Sequence, residues 1–386
     1  DKAGRCHYDC GGAAVEDTAL VYCFPRTPDP GPHSSASKRQ FVDSTTQDRS
    51  TSPSQKEVKI TSRTVIGKAY KKAKLSERAS KILLSSWKQG THKQYSVYIR
   101  QWYSFCNERK VDCVKPSIEA VIEFLSVLFY DRGLGYSAIN TARSALSQFI
   151  IWKGQYTIGS HPWVIRFLKG VYNLRPPVPR YQDTWDVSVI LKLLHSLSPV
   201  KTLSLKFLTL KVVTLIGLLV AARAQTLACL DLRKMTKSKS KIIFQVGSAD
   251  LKQSRPGYVP PPVELKAYPV NRRLCVCTAL FEYLERTKEL RQGESQLFIS
   301  YMKPHKKVSA ATISHWIKTT MAKAGLDVSV YKPHSVRAAS TSGAMKAGVS
   351  LQQIMNTVGW SNSGTFGKYY HKEIKQKVSM GEKILN

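Results

Sequence analysis

The sequence predicts an α+β protein that is mostly helical, in which a small all-helical domain precedes a mixed α/β domain with a small antiparallel sheet. Residues 75–175 repeat apolar side chains at three- and four-residue steps, the period of helices buried on one face. A proline-rich stretch at 175–180 then interrupts the chain, as linkers between domains do. Beyond it, helical periods alternate with short β-branched runs at 242–246 and 257–265, which predict two strands joined by a turn.

The 386 residues suffice for two domains and a tail. Residues 1–60 are rich in Ser, Thr, Pro and Asp, and such a composition buries too little apolar surface to offset chain entropy. We therefore expect a disordered tail over 1–60, a helical domain over 75–175 and a second domain over 184–380.

Four helices are predicted in the first domain, which is enough for a small all-α unit. The first carries one apolar stripe, formed by Tyr95, Ile99, Trp102, Phe105 and Cys106. Ser117 is a suitable cap for the second helix, and Ser137 for the third after a glycine break. The fourth begins at Pro162.

In the second domain, Thr184 is the predicted cap of the first helix. A strongly apolar helix over 203–220 is expected to be buried nearly all round, and Arg223 follows it. A buried arginine is costly unless an anion or an acidic partner meets it, and no acidic residue follows Arg223 until Asp231. Further helices are predicted at 277–287 and 311–324, with a short strand at 296–299.

The chain carries 59 Lys and Arg against 26 Asp and Glu, a formal charge of +33. This excess indicates a polyanionic partner, of which nucleic acid is the commonest. A membrane surface is the alternative, but it usually requires a concentrated basic amphipathic helix, whereas these basic residues are spread over the whole length. The most apolar run, 212–222, is too short to cross a bilayer, so no membrane partner is predicted.

The eight cysteines do not predict a disulfide framework in a chain of this length, and a reducing intracellular compartment fits them best. Cys275 and Cys277 are too close for a usual zinc knuckle. A second group near the N-terminus lacks paired C-x2-C spacing; it comprises Cys6, His7, Cys10 and Cys23. We therefore predict no metal site.

The most informative stretch lies near the C-terminus, where His334 and Arg337 are followed by Trp360 and the pair Tyr369 and Tyr370. A guanidinium can hold phosphate oxygens in a bidentate fork, an imidazole can move a proton, and a phenol can attack phosphorus. Each residue alone also has an ordinary structural explanation, such as a solvated helix face or a packed aromatic. Their combination favours phosphodiester chemistry.

The stretch HSVRAASTSGAM…IMNTVGWSNSGTFGKYY resembles the C-terminal motif of tyrosine recombinases, the phage integrase family. There, H-x-x-R is followed by a His or Trp and then by a nucleophilic Tyr. The sequence of this stretch is most similar to that of recombinases of DIRS-like and Ngaro-like eukaryotic retrotransposons. Over 75–380 the resemblance implies a four-helix core-binding (SAM-like) domain that grips DNA, and a tyrosine recombinase catalytic domain.

The resemblance further implies site-specific recombination or integration of double-stranded DNA for a mobile element. The protein would act in the nucleus as a homo-oligomer, a tetramer on DNA. No ATP, metal ion or other cofactor is implied, because a phosphotyrosine bond would conserve the energy of the cleaved phosphodiester.

Catalytic roles are carried over from the family residue by residue. Arg223 corresponds to the family's first catalytic arginine and Lys252 to its lysine on a β-hairpin turn, although a turn lysine is ordinarily a surface residue. Many members carry an acidic residue three positions after the first arginine, where this chain has Thr226. The implied catalytic set is Arg223, Lys252, His334, Arg337, Trp360 and Tyr370.

Two adjacent tyrosines compete for the role of nucleophile. Many integrases place the nucleophile nine residues after the His or Trp, which corresponds to Tyr369. The motif of the retrotransposon recombinases places it ten residues after, which corresponds to Tyr370. If both lie on a helix, neighbouring side chains are about 100° apart, so only one can face the phosphate. The similarity to the motif of the retrotransposon recombinases favours Tyr370.

DNA contacts are expected outside the catalytic set as well. The opening of the core-binding domain in the family resembles residues 87–95, where Thr91, Lys93 and Gln94 would touch phosphates; a solvated helix N-terminus is the alternative. His315 and Lys318 are candidates on a later helix, with a solvated face again the alternative.

Three other functions are considered. A type IB topoisomerase would share the chemistry without strand exchange, but the compact helical clamp argues for recombination. A catalytically decayed or domesticated copy would bind DNA without cleaving it. A protein of the membrane surface would have no need of these motif spacings.

Overall fold

A computed structural model describes residues 61–152, 156–178, 181–247, 251 and 257–374, without the side chains of Thr365, Lys368 and Tyr369. The chain divides into two compact units after Val178. The predicted fold class is confirmed: both units are largely helical, and the second contains a small antiparallel sheet. The predicted disordered tail at 1–60 lies outside the described residues.

Six α-helices form the described part of the first unit. They are α1 (Ser62–Lys72), α2 (Glu77–Ser85), α3 (Gln89–Glu108), α4 (Ile118–Tyr130), α5 (Tyr136–Leu146) and α6 (Pro162–Leu174). The four predicted helices correspond to α3–α6, and two more precede them. α1 packs on α3 through Val65 and Ile66, both fully buried.

The helix starts in this unit follow capping chemistry in one case and depart from it in another. Ser117 caps α4 as predicted, since its side chain accepts from the Ala120 N–H. The predicted cap Ser137 is wrong: Gly135 is the N-cap residue of α5, so the helix starts two residues earlier than predicted. At the centre of the core, the fully buried Trp102 packs edge-on against Phe124.

The second unit contains eight described α-helices and one sheet. The helices are α7 (Val187–Ser196), α8 (Leu205–Leu219), α9 (Ala224–Ala228), α10 (Val276–Thr287), α11 (Ala310–Lys323), α12 (Ser335–Lys346), α13 (Leu351–Val358) and α14 (Ser363–Tyr369). The strands are β1 (Met235–Lys237), β2 (Lys241–Phe244) and β3 (Val263–Lys266).

The sheet is antiparallel in the order β1-β2-β3. Thr236 pairs with Ile243 and Ile243 with Glu264. β3 lies at an edge, as expected for a strand preceded by three prolines that cannot donate to a ladder. The predicted strand at 296–299 is wrong, because Gln296 and Ile299 form only isolated bridges. β1 was not predicted.

α8 is the central helix of the second unit, and α10, α11 and α12 pack against it. Every residue from Leu208 to Leu218 is buried, as the continuous apolar run predicts. Lys211 lies in this run and is fully buried. Its Nζ donates to the Leu197 carbonyl at 2.5 Å and to Ser198 Oγ at 3.2 Å.

The first residues of the second unit join its last described segment. Asp186, not the predicted Thr184, caps α7 by accepting from the Ser188 N–H. Thr184 is instead fully buried, and its N–H donates to the Glu373 carbonyl at 2.7 Å. A parallel bridge also links Thr184 to Ile374, so the segment after α14 is held along the start of this unit.

The described helices include none with the length and apolarity needed to cross a membrane. Among the described residues, no three His, Cys, Asp or Glu side chains come together in a way that could hold a metal ion. The N-terminal Cys6, His7, Cys10 and Cys23 lie outside the described residues.

Lys211 generates a prediction about pH. Burial, with a smaller contribution from the charge of Arg273, lowers the pKa of Lys211 from 10.5 to about 8. Between these values the unfolded chain binds a proton that the folded chain does not, so stability should rise with pH across this window. Relative to Lys211→Met, the free energy of unfolding of the parent should rise by about 3 kcal/mol between about pH 7.5 and about pH 10.5.

Denaturant unfolding of both proteins at several pH values would measure this gain. Because other groups titrate in the same range, the difference between parent and variant is the quantity to compare. A difference that does not change with pH would show that Lys211 keeps an ordinary pKa in the folded protein.

Candidate active site

The turn after α8 brings two arginines together. Ala221 adopts a φ of +43°, which L-residues rarely take, and Arg223 follows two residues later as the N-cap residue of α9. Arg337, on α12, donates from its guanidinium to the Ala221 carbonyl. Arg223 and Arg337 consequently line the same pocket, although they are more than a hundred positions apart in the sequence.

The pocket is suited to an anion. It is lined by Val220, Ala222, Arg223, Gln225, Thr226, Val246, Leu251, Tyr258, Pro260, Pro261, Pro262, Val263, Arg337, Thr357 and Val358. No carboxylate occurs among these described lining residues. Thr226, which stands where many family members carry an acid, is part of this lining.

Arg337 is buried, with 3% of its surface exposed. Its guanidinium carbon lies 5.4 Å from the centre of the Trp360 ring and 5.3 Å from that of Tyr370. Both distances lie in the range of cation–π attraction. The two rings and the Ala221 carbonyl therefore fix the position of this charge.

Tyr370 lies at the centre of the predicted C-terminal group and is 3% exposed. Its hydroxyl oxygen is 3.1 Å from His334 Nε2. Its ring stacks on Trp360, with centroids 4.5 Å apart and planes 29° apart. α14 ends at Tyr369, and Tyr370 is the first residue beyond it.

His334 and Trp360 complete this group. His334 immediately precedes α12 and is exposed, so its imidazole can exchange protons with solvent. Trp360 is buried, and its indole N–H has no hydrogen-bond partner in the described part of the chain. A buried donor of this kind is costly unless an acceptor meets it, and a bound phosphate oxygen would be such an acceptor.

A contact between distant segments sets the position of Trp360. The Tyr258 hydroxyl donates to the Gly359 carbonyl at 3.2 Å. Gly359 has a φ of +73°, and a Cβ there would lie 2.9 Å from Pro261 Cδ. The turn before Trp360 therefore requires glycine for both its conformation and its close packing.

The remaining predicted site residues are not in this group. Lys252 lies outside the described residues, while its neighbour Leu251 lines the pocket. Thr91, Lys93 and Gln94 occupy the first turns of α3 in the helical unit. His315 and Lys318 are exposed on α11, one turn apart on the same face. None of these five lines the pocket.

The fold of this chain is that of tyrosine recombinases. A structure of the XerH site-specific recombinase bound to a palindromic difH substrate is similar over 80% of this chain and 93% of its own, with a TM-score of 0.52 and 14% identity. The Tn1549 transposon integrase in complex with transposon right-end DNA is similar over 84% and 98%, with a TM-score of 0.51 and 12% identity. Identities this low establish the fold alone.

The second unit is also similar to a known family in sequence: residues 205–376 match the model of the phage integrase family. The match includes Arg223, His334, Arg337, Trp360 and Tyr370. No match was found among curated proteins.

The turn at Gly359 generates a prediction about stability. Gly359→Ala should destabilise the protein by about 2 kcal/mol or more, because it combines an unfavourable positive φ with a clash against Pro261. Gly348→Ala is a matched control: Gly348 has a φ of +87° but nothing within 4 Å of its Cβ position, so it should cost about 1 kcal/mol. Equal losses in denaturant unfolding would show that the contact with Pro261 is unimportant.

Proposed function

We propose that this protein is a tyrosine recombinase that cleaves and rejoins DNA strands through a 3′-phosphotyrosine at Tyr370. The observation that carries the proposal is the position of the Tyr370 hydroxyl, 3.1 Å from His334 Nε2, with its ring beside the buried Arg337 guanidinium. A phenol needs a proton acceptor and a neighbouring cationic site in order to attack a phosphodiester. Both are present here.

Cleavage would proceed in one displacement. The Tyr370 oxygen attacks phosphorus, its proton passes toward His334, and the bond from phosphorus to the 5′-oxygen breaks. That oxygen leaves as a 5′-hydroxyl after receiving a proton, a role that the family resemblance gives to Lys252. Attack by a 5′-hydroxyl on the phosphotyrosine reverses these steps and rejoins a strand.

Charge on the phosphate is stabilised by fixed donors. Arg223 and Arg337 would hold the non-bridging oxygens, since both line one pocket. The Trp360 N–H would supply a third donor. Preorganised donors in a site that excludes water are worth several kcal/mol each to a transition state that gains negative charge.

Double-stranded DNA is the proposed partner. The charge of +33 supports a polyanion, and the similar XerH and Tn1549 integrase structures contain DNA. Thr91, Lys93, Gln94, His315 and Lys318 are the proposed DNA contacts outside the active site. From the resemblance we further propose a tetramer on DNA, action in the nucleus, and a mobile element related to DIRS-like or Ngaro-like retrotransposons.

A DNA-binding protein that has lost catalysis is the alternative, and Thr226 in the pocket lining is the observation that favours it. The two functions differ in one product. Only a recombinase forms a covalent adduct with a nicked suicide substrate, from which the leaving strand diffuses away. Substrates would be built from the ends of the parent element.

The adduct assay also identifies the nucleophile. Tyr370→Phe should abolish the adduct because it removes the attacking oxygen, whereas Tyr369→Phe should retain it. Adducts are counted on denaturing gels after equal DNA binding has been verified. Loss in Tyr369→Phe alone would transfer the role to that residue, and absence of an adduct in the parent with every substrate would favour the non-catalytic alternative.

The arginine pair generates a further prediction. Arg223→Lys and Arg337→Lys keep the charge but lose the bidentate fork, so single-turnover cleavage should fall on the order of 10²-fold with DNA binding little changed. Arg291→Lys is a suitable control. Arg291 is also buried, but it donates to the Gln296 and Leu297 carbonyls, so its replacement should lower stability and leave cleavage by the folded protein nearly intact. Parent-like cleavage by both pocket variants would assign these arginines to structure.

A further inference from the structure

Ser342 forms hydrogen bonds with the backbone of Tyr370 and of Lys372, the two neighbours of His371. It lies on α12, five residues after Arg337, and is 4% exposed. Its hydroxyl donates to the Tyr370 carbonyl at 2.9 Å and accepts from the Lys372 N–H at 3.1 Å. One buried side chain thus holds the chain immediately after the proposed nucleophile.

The segment beyond Ser342's contacts is anchored elsewhere. Lys372 Nζ donates to the Tyr181 carbonyl at 3.1 Å, and the Thr184 N–H donates to the Glu373 carbonyl. Neither contact reaches Tyr370 itself. On the other side, the Tyr370 N–H donates to the Phe366 carbonyl within the last turn of α14. Among the described contacts, the Ser342 hydroxyl is the one that fixes the Tyr370 carbonyl.

We propose that Ser342 is a positioning residue for the nucleophile, which aligns the Tyr370 hydroxyl with the phosphate held by the arginines; this rests on the proposed function of Tyr370. α12 carries both Arg337 and Ser342, and five residues of helix separate them by about 7.5 Å along the axis. The rigid helix α12 therefore sets the distance between Arg337 and the backbone of Tyr370.

The chemistry of the side chain fits this role. A hydroxyl donates one hydrogen bond and accepts others, and Ser342 uses both capacities on one short segment. Alanine would provide neither, whereas threonine keeps both. Because an error of about 1 Å in the placement of a reacting group can cost about 10²-fold in rate, loss of this contact should appear in the rate of attack and not in DNA affinity.

The test compares Ser342→Ala with Ser340→Ala, whose hydroxyl on the same helix is buried without a hydrogen-bond partner in the described structure. Single-turnover adduct formation at saturating DNA should slow on the order of 10-fold or more in Ser342→Ala. Ser340→Ala should match the parent, Ser342→Thr should recover most of the rate, and DNA dissociation constants should agree within about twofold. A parent-like rate in Ser342→Ala, or a loss equalled by Ser340→Ala, would overturn the proposal.

A second measurement does not depend on catalysis. If Ser342 holds the segment after Tyr370, trypsin should cleave after Lys372 several-fold faster in Ser342→Ala than in the parent or Ser340→Ala. Unchanged proteolysis would refute the contact even if no variant formed an adduct. Faster proteolysis together with an inactive parent would instead locate the failure in the proposed function of Tyr370.

Discussion

The candidate active site depends on the hydrogen bond from the buried Arg337 guanidinium to the Ala221 carbonyl. A guanidinium in a protein interior is destabilising unless polar groups or an anion surround it. Here the backbone supplies one acceptor, and it does so from a residue held at positive φ, two positions before Arg223. This hydrogen bond gives the Arg337 guanidinium an acceptor. It also ties α12 to the turn that carries Arg223, so both arginines line one pocket.

The described residues that line the pocket include no carboxylate. The pocket lining joins two arginines to apolar and proline side chains, and the Trp360 N–H is buried nearby without a described acceptor. An acceptor within the protein would satisfy the indole N–H, but it would also compete with a bound phosphate for this donor. A buried donor that is kept for a ligand costs stability.

Local patterns predicted much of this site, whereas tertiary contacts had to be observed. His334, Arg337, Trp360 and Tyr370 lie within one stretch, so their types and spacing were legible in the sequence. Arg223 required the family resemblance, because nothing local links it to a residue 114 positions later. The Tyr258–Gly359 contact had only one sequence signal, a glycine before the tryptophan, and glycines in turns are common.

The difference between local patterns and tertiary contacts also explains where the prediction of the fold was wrong. α1 was not predicted because its few apolar residues, Val65, Ile66 and Ala69, gain their meaning from complete burial in the core that includes α3. Residues 296–299 have the composition of a strand but obtain only single bridges, since Gln296 pairs with Asp231 and Ile299 with Lys307. Burial alone can select β-branched residues without a ladder to pair them.

The end of α14 explains how a serine can control the proposed nucleophile. The last carbonyls of a helix have no acceptor role within it and need partners from elsewhere. Because Tyr370 is the first residue beyond α14, its N–H is used by the helix while its carbonyl is available, and Ser342 takes that carbonyl. One turn earlier, the carbonyl of Phe366 is already occupied by the N–H groups of Tyr370 and His371. Because Tyr370 lies just outside the helix, α12 can carry Arg337 and also hold the backbone of Tyr370.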